Sequence, residues 1–299
     1  MIRLALDWTP NTNHTGFFIA QEKGFYSNEE LEVSISDPSN DNYQVTPAKK
    51  LETGLADVAL APTESVISYR FKSNPFMVKA IAAVLQKDAS AVTVLKERDI
   101  ISPAQLDGKS YASYKARYED EIIKQMIRND GGDGDLSISY PDKLGIWNTL
   151  INGEADATWI FLPWEGVEAR SKGIDLRNFV LSDFDIPYGY SPVLLVSENE
   201  LLDRRDEFKR FLEASRRGFE FAIDYPDEAA SILAKHVPAG QLEGDALIES
   251  QKMINEYYTS ENEWGRMKEG RWYSFISWLK ERELIPEEVE SQDLFENLI

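Results

Sequence analysis

Residues 6–18, LDWTPNTNHTGFF, place a Trp, two Asn, a His and three hydroxyls between two apolar stretches. Ahead of the segment, Ile2, Leu4 and Leu6 alternate as a strand does. Behind it, Phe17 to Lys23 with Gly24 following reads as a helix closed by a glycine. A polar loop joining a strand end to a helix start lies where open α/β sheets bind ligands. Capping of the helix by Asn13 or Thr15, or filling of a core gap by Trp8, would use single residues and leave the other polar groups unexplained.

Outward from this loop, short apolar runs alternate with amphipathic stretches. The runs at 31–35, 58–60, 79–85, 91–95, 136–140, 155–161 and 192–196 read as strands. Interleaving of this kind predicts βαβ units and mainly parallel sheets, an α/β fold. From Glu200 onward the pattern becomes helical, with Phe208, Phe211, Leu212, Phe219 and Phe221 on mostly helical spacing. Two turn-rich segments, QKDAS at 86–90 and IPYGYSP at 186–192, have the composition of crossings between lobes. They predict a discontinuous lobe I of residues 1–88 plus 192–299 and a lobe II of 89–191, with a ligand cleft between them.

The chain has 299 residues, enough for two domains with their own cores. Its 32 basic and 52 acidic residues give a net charge of −20, which argues against nucleic acid and anionic membrane surfaces as partners. The absence of cysteine excludes disulfides, thiolate metal sites and a cysteine nucleophile. No apolar run is long enough to span a bilayer. With a strand beginning at residue 2, the expectation is a periplasmic or cell-surface location if a leader is removed, and a cytoplasmic one otherwise.

Four clusters fall at expected strand ends. The first is the opening loop with Trp8, Asn11, Asn13 and His14. The second is APTES at 61–65, where Thr63 and Ser65 suit either a helix cap or a polar ligand, with Glu64 between them. The third is SYKAR at 113–117, which brings Tyr114, Lys115 and Arg117 to the start of a helix. The fourth is WIFLPWE at 159–165, with Tyr188 and Tyr190 beyond. Glu165 at a helix start could simply complement the macrodipole. Beside Trp164 and the two tyrosines it also forms a flat apolar wall next to a carboxylate. Such a wall suits a planar ring whose amino group neighbours a ring nitrogen. The loop DGGDGD at 130–135 lacks the spacing of a calcium loop and reads as a solvated turn. No nucleophile–base pair, Walker loop, dinucleotide fingerprint or two-His metal spacing is present, so neither cofactor nor metal is expected.

The stretches LDWTPNTNHTGFFIAQEKGFY at 6–26, GLADVALAPTES at 54–65, WIFLPWEGVEA at 159–169 and YGYSPVLLV at 188–196 together resemble a known family. It is the family of type II periplasmic-binding-protein folds that handle the pyrimidine precursor of thiamine, nearest its formyl-aminomethyl-pyrimidine receptors. The resemblance implies two α/β lobes with the ligand between them and a helical C-terminal segment. One branch presents its pyrimidine to an ABC importer, which makes a permease the expected partner. The other consists of pyrimidine phosphate synthases that consume a histidine of their own and pyridoxal phosphate in an iron-dependent reaction. Aligned on ADVAL, the synthase lysine and consumed histidine fall on Ala61 and Ser65, and the synthase cysteine cluster has no counterpart here. His14 matches a histidine of both branches. The reading that follows is a binding protein for an aminopyrimidine. Its ligand residues would be Trp8, Asn11, Asn13, His14, Thr63, Glu64, Ser65, Tyr114, Trp164, Glu165, Tyr188 and Tyr190. A synthase-like enzyme and a receptor for sulfonates or other small anions, using Lys115 and Arg117, are the alternatives.

Overall fold

Ten strands of four to six residues carry the architecture. They are β1 (Ile2–Ala5), β2 (Val33–Ser36), β3 (Val58–Ala61), β4 (Val78–Ala83), β5 (Ser90–Leu95), β6 (Lys109–Ala112), β7 (Leu136–Ser139), β8 (Ala157–Phe161), β9 (Leu176–Phe179) and β10 (Val193–Ser197). The computed structural model describes residues 1–261 and 263–299. Within it the chain divides into two units, residues 1–88 with 189–299, and residues 89–188.

The first unit holds a sheet of order β2-β1-β3-β10-β4. In it β1 runs parallel to β2 and β3, while β10 runs antiparallel to β3 and β4. The second unit repeats the scheme as β7-β6-β8-β5-β9, with β6 parallel to β7 and β8 and β5 antiparallel to β8 and β9. Four strands of each sheet thus run the same way, as expected, and one, β10 in the first and β5 in the second, runs against them. The reason is connectivity. β5 and β10 enter their sheets from the other unit and not through a βαβ crossover, so no crossover fixes their direction. The edge strand β9, LRNF, was not expected; it is short and partly exposed, and so lacks the apolar run of the others.

Helices cover the sheets where the apolar periodicity places them. Helix Glu119–Asn129 buries Ile122, Ile123, Met126 and Ile127 behind an acidic first turn. Helix Arg205–Asp224 buries Phe208, Phe211, Leu212, Ser215, Phe219 and Ala222, which puts Phe221 off the stripe under the Lys23 ammonium, 4.6 Å from its ring centre. This helix meets helix Thr15–Glu22 at Gly218, where an added Cβ would stand 1.9 Å from the Gly16 carbonyl oxygen. Only glycine permits that approach. Gly24, at φ +71°, closes helix Thr15–Glu22 as expected from the sequence.

Candidate functional site

In each sheet the strand order reverses between two neighbouring parallel strands. The chain leaves β1 for β2 on one side and leaves β3 for β4 on the other; β6 and β8 repeat this. Open α/β sheets bind ligands beyond the carboxyl ends of such strand pairs. All four clusters picked out in the sequence follow these four strands, two in each unit.

The loop after β1 is an internally bonded turn. Asn11, not Asn13 or Thr15, supplies the cap: its Oδ1 accepts the Asn13 N–H at 2.8 Å, and its own N–H donates to His14 Nδ1 at 3.2 Å. With Nδ1 an acceptor, His14 Nε2 carries the proton and donates to Asp7 Oδ1 at 2.8 Å. His14 is fully buried, so it shapes the loop and orients Asp7. Thr15 Oγ1 donates to Gln251 Oε1 at 2.6 Å, and Tyr258 and Thr12 are bonded through the Thr12 carbonyl, which fastens the loop to helix Gly244–Tyr258. Trp8 is half-buried and tilts against Tyr43, ring centres 5.6 Å apart. The Tyr43 hydroxyl donates to the Asp7 carbonyl at 2.6 Å. Asp7 and Tyr43 were not among the expected residues; Asp7 adjoins Trp8 in the motif, whereas Tyr43 arrives from another loop.

After β3, Pro62 precedes helix Thr63–Phe71, and no side chain caps it. Thr63 instead directs both its N–H and its Oγ1 to the Tyr190 carbonyl, at 3.0 and 2.7 Å. Gly189 is required here, because a Cβ would lie 2.8 Å from the Thr63 side chain. Glu64 is buried and Ser65 half-buried on the first turn. Tyr190 is buried, its hydroxyl accepts the Lys268 N–H at 2.9 Å, and the Arg271 guanidinium lies 4.2 Å over its ring.

In the second unit the loop after β6 is wrapped around a carboxylate. Glu119, almost fully buried, accepts the Tyr111 hydroxyl at 2.8 Å, the Tyr114 N–H at 3.1 Å and the Ala116 N–H at 3.0 Å. Burial raises its pKa, and these donors oppose the rise. Tyr114 is half-buried beside Ala112, Ile146 and Ala155. Lys115 and Arg117 are exposed, with Lys115 5.4 Å from the Tyr140 ring centre and Arg117 5.3 Å from that of Tyr118. The loop's amides thus already hold an anion that the chain itself supplies.

After β8 comes a π-helical turn, Leu162–Gly166, a geometry that is rare and concentrated at functional sites. It buries Trp164 and Glu165 together. Glu165 Oε2 accepts the Phe161 N–H at 3.0 Å. Burial pushes its carboxyl up to about 7, with the Phe161 amide acting in the opposite direction. Tyr188 is half-buried and tilts against Trp159, ring centres 5.2 Å apart. No group of three or more His, Asp or Glu among the described residues is arranged to hold a metal ion.

The model of a protein family described as NMT1/THI5 like matches residues 11–229, which carry the four clusters apart from Trp8. The chain belongs to the NMT1/THI5-like family. This NMT1/THI5-like chain is 25% identical over 302 residues to the formylaminopyrimidine-binding protein of Halalkalibacterium halodurans, covering 99% of this chain and 90% of that protein. It is 24% identical over 240 residues to the 4-amino-5-hydroxymethyl-2-methylpyrimidine phosphate synthase of Legionella pneumophila, covering 79% and 74% of the two. Among solved structures it is similar to the alkanesulfonate-binding protein SsuA of Xanthomonas axonopodis pv. citri bound to MOPS. The TM-score is 0.75 over 99% of this chain and 98% of that one, at 11% identity, a likeness of fold alone. The fold of this NMT1/THI5-like protein is the type II periplasmic-binding-protein fold, two α/β sheets with helical segments.

Proposed function

We propose that the protein is a solute-binding protein for an aminopyrimidine of the thiamine-precursor class, a formylated aminomethyl-pyrimidine being the leading candidate. The loops proposed to contact the ligand are those after β1 and β3 in the first unit and those after β6 and β8 in the second. The observation that carries the reading is Glu165, a buried carboxyl beside Trp164 on a π-helical turn at a strand-order reversal, with a pKa raised to about 7. A carboxyl in that range accepts from an exocyclic amino group and shares a proton with the adjacent ring nitrogen, the pairing an aminopyrimidine edge requires. Trp8, Trp164, Tyr188 and Tyr190 supply flat walls. Asn11, Asn13, Thr63, Glu64, Ser65 and Tyr114 supply secondary polar contacts, and His14 acts through the loop it shapes. The likeness to a formylaminopyrimidine-binding protein along nearly the whole chain supports this ligand class.

The fold resembles that of ligand-binding components of ABC-type import systems, which supports an extracytoplasmic place of work and a permease partner. The synthase reading is the second one, favoured by the likeness to pyrimidine phosphate synthases. It is disfavoured by Ala61 and Ser65 at the positions aligned with the synthase lysine and histidine; neither side chain can form an imine or be consumed as an imidazole.

The test is calorimetry with the formylated aminomethyl-pyrimidine. Wild-type protein should bind at micromolar affinity or better, about −8 kcal/mol. Glu165→Ala should weaken binding by about 2 kcal/mol, roughly 30-fold. Unchanged affinity would remove Glu165 from the site. A thermal-shift screen of aminopyrimidines against taurine-like anions decides the ligand class, because the true ligand stabilises by mass action.

A further inference from the structure

One side chain outside the matched family region touches both segments by which the chain passes from one unit to the other. Arg271 lies on helix Glu269–Lys280. Its Nη1 donates to the Gln86 carbonyl at 2.7 Å, two residues before the chain leaves the first unit at Asp88. Its Nη2 donates at 2.7 Å to the carbonyl of Gly189, where the chain returns. The same guanidinium lies 4.2 Å over the ring of Tyr190.

We propose that Arg271 is a positioning residue for the candidate site: by holding Gln86, Gly189 and the Tyr190 ring with one planar group, it fixes the Tyr190 carbonyl against Thr63. Three features support this. The guanidinium fork offers separate donors at fixed angles and a face that stacks on an aromatic ring, which an ammonium does not. The Tyr190 carbonyl accepts both Thr63 bonds, and Val84 N–H donates to the Pro192 carbonyl at 3.0 Å, so the segments that Arg271 joins are also ladder neighbours. Finally, Gln86 gains little from its own side chain: its Nε2 is buried without a hydrogen-bond partner among the described residues, leaving the main chain to anchor the segment. Helix Glu269–Lys280 also provides a matched control. Arg282, just beyond it, stacks 4.2 Å over the Trp278 ring and donates to the Trp278 carbonyl at 2.9 Å, touching neither segment.

The effect on binding rests on the reading of Thr63 and Tyr190 as ligand contacts, but the positioning itself is measurable without ligand. Amide hydrogen exchange on the full chain should show Thr63 and Val84 exchanging at least tenfold faster in Arg271→Lys, with little change in Arg282→Lys. The affinity for a formylated aminomethyl-pyrimidine should fall at least tenfold in Arg271→Lys only. Unchanged protection of Thr63 and Val84 in Arg271→Lys overturns the proposal, as does equal loss in Arg282→Lys. Lost protection with undiminished affinity overturns the link to the site. If the wild-type protein does not bind the pyrimidine, the functional reading fails while exchange still decides the role of Arg271. Should Arg271→Lys not fold, Arg271→Gln, which keeps one amide donor and loses the two-pronged fork, must expose the same two amides.

Discussion

Two buried carboxyls stand at the ends of neighbouring strands in the second unit; burial raises the pKa of both, but they differ in the donors that surround them. Glu119, after β6, is surrounded by a hydroxyl and two amides that its own loop provides. Glu165, after β8, receives the Phe161 amide from the end of that strand and is pushed up to about 7 by burial. A carboxyl that satisfies a hydroxyl and two amides is a framework part, because removing it strands three donors at once. A carboxyl left dear to ionise within the free protein has interaction energy still to gain from a partner. Position in the sheet is nearly the same for the two, so the difference lies in the loops.

Deleting the framework carboxyl should have the largest effect. Glu119→Ala leaves the Tyr111 hydroxyl and the Tyr114 and Ala116 amides without their acceptor, and should lower stability by about 4 kcal/mol. Urea unfolding of the full chain measures this. A loss below about 1 kcal/mol would mean that the loop re-forms without its central anion, and the contrast with Glu165 would collapse.

Glu165 makes the complementary prediction through pH. Its carboxyl, ordinarily near 4.5, titrates at about 7 in the folded chain. Between those values the folded state keeps a proton that the unfolded state releases, so stability falls as pH rises through that window and levels off above it. The drop attributable to Glu165 is about 3 kcal/mol. Glu165→Gln should abolish that part of the slope and leave the variant more stable than wild type at pH 8. Glu119 is shifted in the same direction and keeps a residual slope. Asp57, against the upward pull of its burial, is held at about 2 by Arg3 and Arg204. Its contribution is present above the ordinary aspartate value and is lost as pH falls toward 2, outside the Glu165 window. Parallel stability–pH curves for wild type and Glu165→Gln between pH 4.5 and 7 would refute the assignment.

The four loops were legible in the sequence because polar residues crowded behind apolar runs, and that crowding is local. The direction of β5 and β10 was not, since a strand buried on both faces reads alike in either direction. The cap fell on Asn11 and not on Asn13 or Thr15, because a short turn, Thr12–His14, precedes helix Thr15–Glu22 and shifts the first free amides upstream. Glu119 is one of three acids in a helix's first turn, and nothing in EDE marks which of them turns inward. Tyr43 and Arg271 were invisible for a different reason. Their partners lie 36 and 185 residues away, and only the sheet topology brings them together.

The smallest expected effect tests the comparison from the side of the anion. Lys115 and Arg117 are the cations that a sulfonate receptor would use in this loop, yet the amides behind them already bind Glu119. Lys115 is exposed, and its visible contact is the ring of Tyr140 at 5.4 Å, worth about 0.5 kcal/mol. Lys115 sits at φ +57°, and methionine bears the same backbone strain as lysine there, so Lys115→Met isolates the charge. Stability should change by about 0.5 kcal/mol or less, and affinity for the aminopyrimidine should stay within about twofold of wild type. A taurine-like anion that binds the wild type and is lost in Lys115→Met would instead show that the Glu119 carboxylate leaves room for a second anion. The site would then belong to the anion receptors, and Glu165 would need another partner.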